Sequence, residues 1–277
     1  MRRTLRRLVQ MVRYRRASLA DVPILFANSF PKSGTHLLTQ VLQGFTALGP
    51  AVDSGLPAVV MYDGFSGKPR LEREIAADLA RFLPADIGYG HLHAIPAAVS
   101  LLSSPGTAAY FILRDPRDVA VSHVHYITDL APKHIHHRYY AEELHNFNER
   151  LRVSILGRAK MDSSFPGIDA RFTPFLGWLD TDRVMIIRYE DFITDRVDTL
   201  HKVLDHAVKA GFPLYERDQQ RVLEIMEAAI DPQRSPTFRR GRISAWKDDF
   251  SKDNKRLFKE TAGDLLIHLG YERDYDW

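Results

Sequence analysis

Cysteine is absent from the 277 residues. That excludes disulfide staples, thiol nucleophiles and cysteine-ligated zinc or iron–sulfur centres. Long apolar runs are missing too: none approaches the roughly 18–20 residues that span a bilayer. Arginines interrupt every candidate signal core near the start, so no secretory leader is expected. Acidic residues are absent from residues 1–20, which hold Arg2, Arg3, Arg6, Arg7, Arg13, Arg15 and Arg16. Beyond that segment 31 basic residues face 35 acidic ones, so the formal +3 of the chain hides a body at −4. Such a body is not a basic nucleic-acid-binding domain, and no nucleic-acid partner is expected. What remains is ordinary globular composition, 45% hydrophobic and 26% charged, without internal repeats or low-complexity tracts.

Apolar patterning alternates between strand and helix. Val22–Phe30 is strand-length and ends in polar residues before Pro31-Lys-Ser-Gly-Thr-His36. Leu37, Leu38, Val41, Leu42 and Phe45 then follow at helical spacing. Residues 49–70 are rich in Gly and Pro and read as a long loop, and a charged helix is expected over Leu71–Phe82. Residues 86–93 form a short strand ending at His91 and His93. A second strand, Tyr110–Leu113, leads into a helix capped by Asp115 with Pro116 at its first position. Arg117 and Asp118 read as surface and capping residues. Residues 138–160 read as one long polar helix. Val184–Ile187 is a third strand, and Ser251 caps a final helix that stops at Gly270. Strands alternating with helices predict a three-layer α/β/α fold on a central parallel sheet.

Ligands of parallel α/β sheets sit beyond the carboxyl ends of the strands. Three polar segments lie at such ends: residues 31–36, 114–122 and 188–191. In the first, a helix start behind Gly34 offers free N–H groups to an anion, with Lys32, Ser33 and Thr35 adding charge and hydroxyls. It is a phosphate cradle but not the triphosphate P-loop, because the lysine precedes the glycine. In the second, Arg114 and Ser122 are placed to grip another phosphate. A third basic stretch, Phe238-Arg-Arg-Gly-Arg-Ile-Ser-Ala-Trp-Lys247, can wrap an anion with side chains and backbone.

Together these segments resemble the signature set of the cytosolic-type sulfotransferases that use 3′-phosphoadenosine 5′-phosphosulfate (PAPS), in order and spacing from residue 24 to about 250. The resemblance implies a P-loop-NTPase-like sulfotransferase domain over residues 21–277; residues 1–20 before it read, from their arginines and spacing, as a basic amphipathic segment. The resemblance implies transfer of a sulfuryl group from PAPS to a hydroxyl or amine, with PAP as product and no metal required. Lys32, Ser33, Gly34, Thr35 and His36 would bind the 5′-phosphosulfate. Arg114, Ser122, Arg239, Arg240 and Gly241 would hold the 3′-phosphate, and Tyr189 would lie beside the adenine. Leu37 stands where the family often carries a tryptophan, and Ser244-Ala245 replaces its usual Gly-Asp before Trp246.

The family's histidine base often sits in a Gly-His-Leu segment. Gly90-His-Leu-His93 supplies His91, with His93 as the alternative. Lys32 would neutralise charge on the leaving phosphate oxygen. His123, His125, His134, His136 and His137 lack any metal-ligating pattern and are expected on a solvated face or at an acceptor rim. The resemblance implies a small-molecule, sugar or lipid acceptor, whose identity the sequence leaves open. The expected location is cytoplasmic, with membrane association as a second option.

Two rival readings are a small-metabolite kinase of P-loop type and a non-catalytic protein acting at a membrane surface through its arginine-rich start. Leu5, Leu8, Val9 and Val12 recur at i, i+3, i+4 and i+7, which predicts an N-terminal helix. It is expected to pack on the domain with its arginines solvated. Peripheral membrane contact through residues 1–16 is the alternative.

Overall fold

The structure, a computed structural model, describes residues 2–64, 66–158, 165–235 and 241–277. Its strands in chain order are β1 (Ile24–Ser29), β2 (Val52–Asp53), β3 (Val59–Val60), β4 (Asp86–His91), β5 (Thr107–Leu113), β6 (Gly157–Arg158), β7 (Phe165–Pro166) and β8 (Val184–Arg188). The chain divides into two compact units. The first takes the described residues of Met1–Met61, Arg70–Leu113 and Gly177–Ser235, and the second takes those of Tyr62–Pro69, Arg114–Leu176 and Pro236–Trp277. Among the described residues no helix is long and apolar enough to cross a membrane.

The first unit is built on a parallel sheet in the order β2-β4-β1-β5-β8, with β3 also pairing β4. β1 runs beside β4 from Leu25 opposite Ile87, and beside β5 from Ile24 opposite Thr107. Every residue of β1 and β5 is buried, as expected of central strands covered on both faces. α1 (Arg2–Arg13), α2 (Thr35–Leu48), α3 (Glu72–Leu79) and α4 (Pro96–Leu102) belong to this unit, with further helices at Arg196–Lys209 and Gln219–Ala228. α2 packs on β1 and β4, α4 on β5, and the helix Arg196–Lys209 on β8. Leu38, Val41, Leu42 and Phe45 of α2 are fully buried, and Phe45 meets Phe212 edge-on at 5.1 Å. Each such side chain is worth about 1.5–3 kcal/mol of burial. The α/β sheet flanked by helices is therefore the architecture that the alternating patterning predicts.

Two expectations for this unit change. Residues 49–70 are not one long loop, because Val52-Asp53 and Val59-Val60 pair with the outer edge of β4. Two-residue strands are too short to leave a periodic signature. The N-terminal helix forms as its spacing predicts, but with the opposite face inward. Arg3 and Arg7 both pair with the buried Asp86. Arg7 also donates to the Pro84 carbonyl at 2.9 Å, while the Gln10 amide and Tyr14 hydroxyl donate to the Thr46 carbonyl. The arginine face is anchored and the apolar row points away.

The second unit holds α5 (Pro116–His125), α6 (Phe147–Leu156) and the helix Lys252–His268. The side chain of Asp115 caps α5 by accepting from the Arg117 N–H at 2.9 Å, and Ser251 Oγ caps the last helix by accepting from Asn254 N–H. The long helix expected over 138–160 is broken. A π-helical turn spans Tyr139–Glu143, α6 begins only at Phe147, and β6 pairs antiparallel with β7. Asn146 makes the break by accepting from the Glu149 N–H at 3.0 Å, a capping bond that competes with helix continuation.

Candidate active site

In the first unit the carboxyl ends of β1, β4 and β8 carry the chemistry-bearing residues. β1 ends in Asn28-Ser29, both fully buried, and the chain turns through Phe30–Gly34 into α2. Lys32 takes a left-handed φ of 71°, and Gly34, at the N-cap position, a φ of 101°. A Cβ on Gly34 would fall 2.7 Å from Tyr189 Cδ2 and 3.1 Å from Ile112 Cδ1. Glycine is thus required twice over, by conformation and by space. The contact also sets the Tyr189 ring against the turn, with its backbone N–H donating to Leu113 O at 2.8 Å.

The start of α2 is left open. Gly34 has no side chain to cap it, and the first turn carries no acid. The N–H groups of a first helical turn have no intrahelical acceptor and carry the positive end of the helix dipole. Ser33 is fully buried, and its Oγ finds no hydrogen-bond partner among the described residues. A buried unsatisfied hydroxyl costs roughly 1–3 kcal/mol. Lys32 lies close enough to His36 and His91 for its charge to depress both imidazoles, behind desolvation as the larger cause. Orphan donors, an orphan hydroxyl and an ammonium therefore gather at one turn, a set that fits a multiply charged oxyanion.

His91 ends β4. Its Nδ1 lies 3.0 Å from Ser29 Oγ and 3.2 Å from Ser29 O, and Ser29 Oγ lies 2.7 Å from Thr35 Oγ1. A carbonyl only accepts, so the Nδ1 proton points to Ser29 and Nε2 carries the lone pair. Burial pushes the His91 pKa down to about 4, partly offset by the Ser29 carbonyl and reinforced by His36 and Lys32. His93, the alternative, is also lowered by burial to about 4. The backbone between the two is clamped. Asn28 Oδ1 accepts from the Leu92 N–H at 2.8 Å, and both Asn28 Nδ2 and Trp178 Nε1 donate to Leu92 O, at 3.0 and 2.7 Å. Asn28, Ser29 and Trp178 escape the reading of the sequence. For Asn28 and Ser29 the signal was available, as two polar residues closing a buried strand. Trp178 gives none, because it lies far from any motif.

In the second unit Arg114 donates from Nη2 to the Arg242 carbonyl at 2.7 Å and pairs with Asp118 at 3.2 Å. Asp118 in turn accepts from the backbone N–H groups of Ser244 and Trp246, both at 2.9 Å, and its side chain is fully buried. Through Asp118 the end of the second motif is tied to the loop after Gly241. Ser122 lies on α5, and Gly241 takes a left-handed φ of 62°. Arg239 and Arg240 lie outside the described residues. The surface role expected for Arg117 and Asp118 is overturned. Arg117 is buried, pairs with Asp115 and Glu272, and lies 4.0 Å from the centre of the Trp246 ring. An arginine so paired is a structural strut for the Trp246 segment.

Two of the five clustered histidines, His123 and His136, do not lie on a solvated face, while His125, His134 and His137 are half-buried. His123 is buried, stacks on Phe165 at 4.8 Å and lies 3.2 Å from Ser154 Oγ. His136 is buried beside the same ring at 5.1 Å, and burial lowers its pKa to about 4. A neutral imidazole is a flat, partly apolar ring, and these two serve as packing residues. Among the described residues no group of three or more His, Asp or Glu side chains is placed to hold a metal ion.

Known proteins give this geometry a context. The profile of the sulfotransferase domain family matches residues 24–270. No curated protein matches the sequence. Among solved structures, the fold is similar to mouse sulfotransferase SULT7A1 complexed with PAP, at 18% identity and a TM-score of 0.57 over 90% of this chain and 88% of that one. It is similar also to retinol dehydratase in complex with retinol and PAP, at 17% identity and a TM-score of 0.56 over 90% of this chain and 83% of the other. The same enzyme with androsterone and inactive cofactor PAP gives 17% identity and a TM-score of 0.56 over 95% and 85%. At these identities the structural likeness speaks for the fold.

Proposed function

This chain belongs to the sulfotransferase domain family, and on that premise we propose that it moves a sulfuryl group from PAPS to a hydroxyl or amine of a small-molecule acceptor, with His91 as base and Lys32 beside the leaving oxygen. The observation that carries the reading is the start of α2, where an uncapped helix, an acid-free first turn and a buried Ser33 hydroxyl without a partner among the described residues come together. A phosphosulfate supplies what these groups lack. Ser33, the N–H groups of Gly34, Thr35 and His36, and the Lys32 ammonium would bind its oxygens.

The acceptor oxygen forms a bond to sulfur as the bond from sulfur to the 5′-phosphate oxygen breaks. The acceptor proton passes to His91 Nε2, the ring atom that the Ser29 contacts leave as acceptor. Charge that grows on the departing phosphate is met by Lys32 and the positive end of α2. His91 is favoured over His93 because it fits the family's Gly-His-Leu pattern, and the contact of its Nδ1 with Ser29 orients the ring. The family's motif assigns the 3′-phosphate to Arg114, Ser122 and Gly241 with Arg239 and Arg240, and the adenine to Tyr189. PAP in the three similar structures favours the same donor here, and retinol and androsterone beside retinol dehydratase favour an alcohol as acceptor.

Calorimetric titration tests the donor. PAP binds in the presence of EDTA, and Lys32→Ala weakens it; Mg²⁺–ATP binds far more weakly. Tight Mg²⁺-dependent ATP binding with no response to PAP replaces this reading by the kinase one. A screen of alcohols with sulfur-labelled PAPS then identifies the acceptor.

A further inference from the structure

We propose that α1 docks this protein reversibly on an anionic lipid surface, its apolar row facing the acyl chains and its flanking arginines the headgroups. The proposal rests on how the helix is mounted, and it is independent of the donor site. Most surface helices bury their apolar stripe against the core and leave their charges in water. Here the polarity is reversed. Arg3, Arg7, Gln10 and Tyr14 hold one side of the helix to Asp86, Pro84 and Thr46. The opposite side presents Leu5, Leu8, Val9 and Val12, which are 63%, 52%, 54% and 78% exposed. With Arg13 the last three line a shallow open depression.

Four aliphatic side chains aligned in one exposed row leave apolar surface in water, and a partner that covers the row would remove that cost. Charge selects among partners. At 100° per residue Arg2, Arg6 and Arg13 fall along one flank of the exposed row, and all three are exposed; Arg6 also reaches Asp53. A second copy of this helix would bring those arginines against their own kind, which like-charge repulsion opposes. An anionic bilayer presents negative headgroups above an apolar interior, so it meets flank and row at once. The row spans only about 10 Å of helix axis, two turns. So short an insertion gives reversible association that depends on charge, each basic residue near the surface contributing about fivefold.

The test uses the full chain in sedimentation with vesicles of phosphatidylcholine alone and of phosphatidylcholine with phosphatidylserine at two to one. The expected result is binding to the anionic vesicles that weakens in high salt, with little binding to the neutral ones. The double variant Leu8→Asp, Val12→Asp changes only exposed positions. It should bind the anionic vesicles about tenfold or more weakly while keeping its circular dichroism, its thermal midpoint and its affinity for PAP. Equal binding by wild type and variant overturns the proposal, as does a wild type that ignores the anionic lipid. A concentration-dependent dimer in analytical ultracentrifugation, dissolved by the same double variant, also overturns it and assigns the row to a second copy.

Discussion

His91 illustrates how placement tunes one side chain. Burial keeps its imidazole neutral, with a pKa near 4 against the ordinary 6.5, and the Ser29 contacts leave Nε2 to accept a proton. His91→Ala should lower turnover by about 10²-fold or more while PAP binding changes little. His93→Ala should leave most of the rate; the reverse pattern in stopped assays would move the base two residues along. Because a base works only when neutral, the acid limb of kcat/KM for PAPS should lie well below pH 6.5 in the wild type. The limb for kcat should sit higher, since a bound dianion stabilises the imidazolium. Ser33 gives a sharper test of the cradle. Ser33→Ala removes a buried hydroxyl that has no hydrogen-bond partner among the described residues, so it should weaken PAP about tenfold yet leave stability unchanged or improved. Loss of stability with no effect on PAP, read by calorimetry and thermal melts, would place that hydroxyl outside the donor site.

Elements show where local patterning succeeds and fails. β1 and α2 were legible because a buried apolar run and a 3.6-residue stripe are both long enough to read. Two-residue β2 and β3 were not, and Asn146 turned an expected long helix into a π-helical turn and α6. α1 is the most instructive case, since its periodicity predicted a helix correctly but its inward face wrongly. Periodicity says which residues share a face; it does not say which face a buried Asp86 will recruit. That carboxylate is fully buried between two arginines, so the pairing is expensive to break. Arg3→Ala with Arg7→Ala should cost about 3–5 kcal/mol in denaturant unfolding. Deleting residues 1–16, which on the sequence alone looks like a clean removal of a separate segment, should destabilise the first unit by a similar route. Adding Asp86→Asn to the deletion should recover part of the loss, because it removes the stranded charge.

At the scale of the whole molecule, pH should set stability through histidines held neutral by burial. His91, His93 and His136 each fall from 6.5 to about 4. The unfolded chain binds these protons first as pH drops, so their contribution is present above pH 6.5 and is lost as pH falls toward 4. Thermal midpoints should therefore decline through that window, and less steeply in a His136→Gln variant. A flat profile would mean that these imidazoles are solvated. Ligand linkage acts at the same scale. PAP at a hundred times its dissociation constant should add about 2.7 kcal/mol without Mg²⁺.

By itself the sequence determined the fold class, the parallel strands and the order of the candidate anion-binding segments. Strand and helix signals are local, and the motif around Lys32–Thr35 is contiguous along the chain. Tertiary structure decided what depends on partners distant in sequence. It set the tautomer of His91 through Ser29, 62 residues away, and the clamp of Leu92 by Asn28 and Trp178. It buried Arg117, Asp118, His123 and His136 where charge and polarity alone suggested solvent. It also turned Arg3 and Arg7 of α1 inward, because the buried Asp86 carboxylate draws them there, and nothing near these two arginines in the chain announces it.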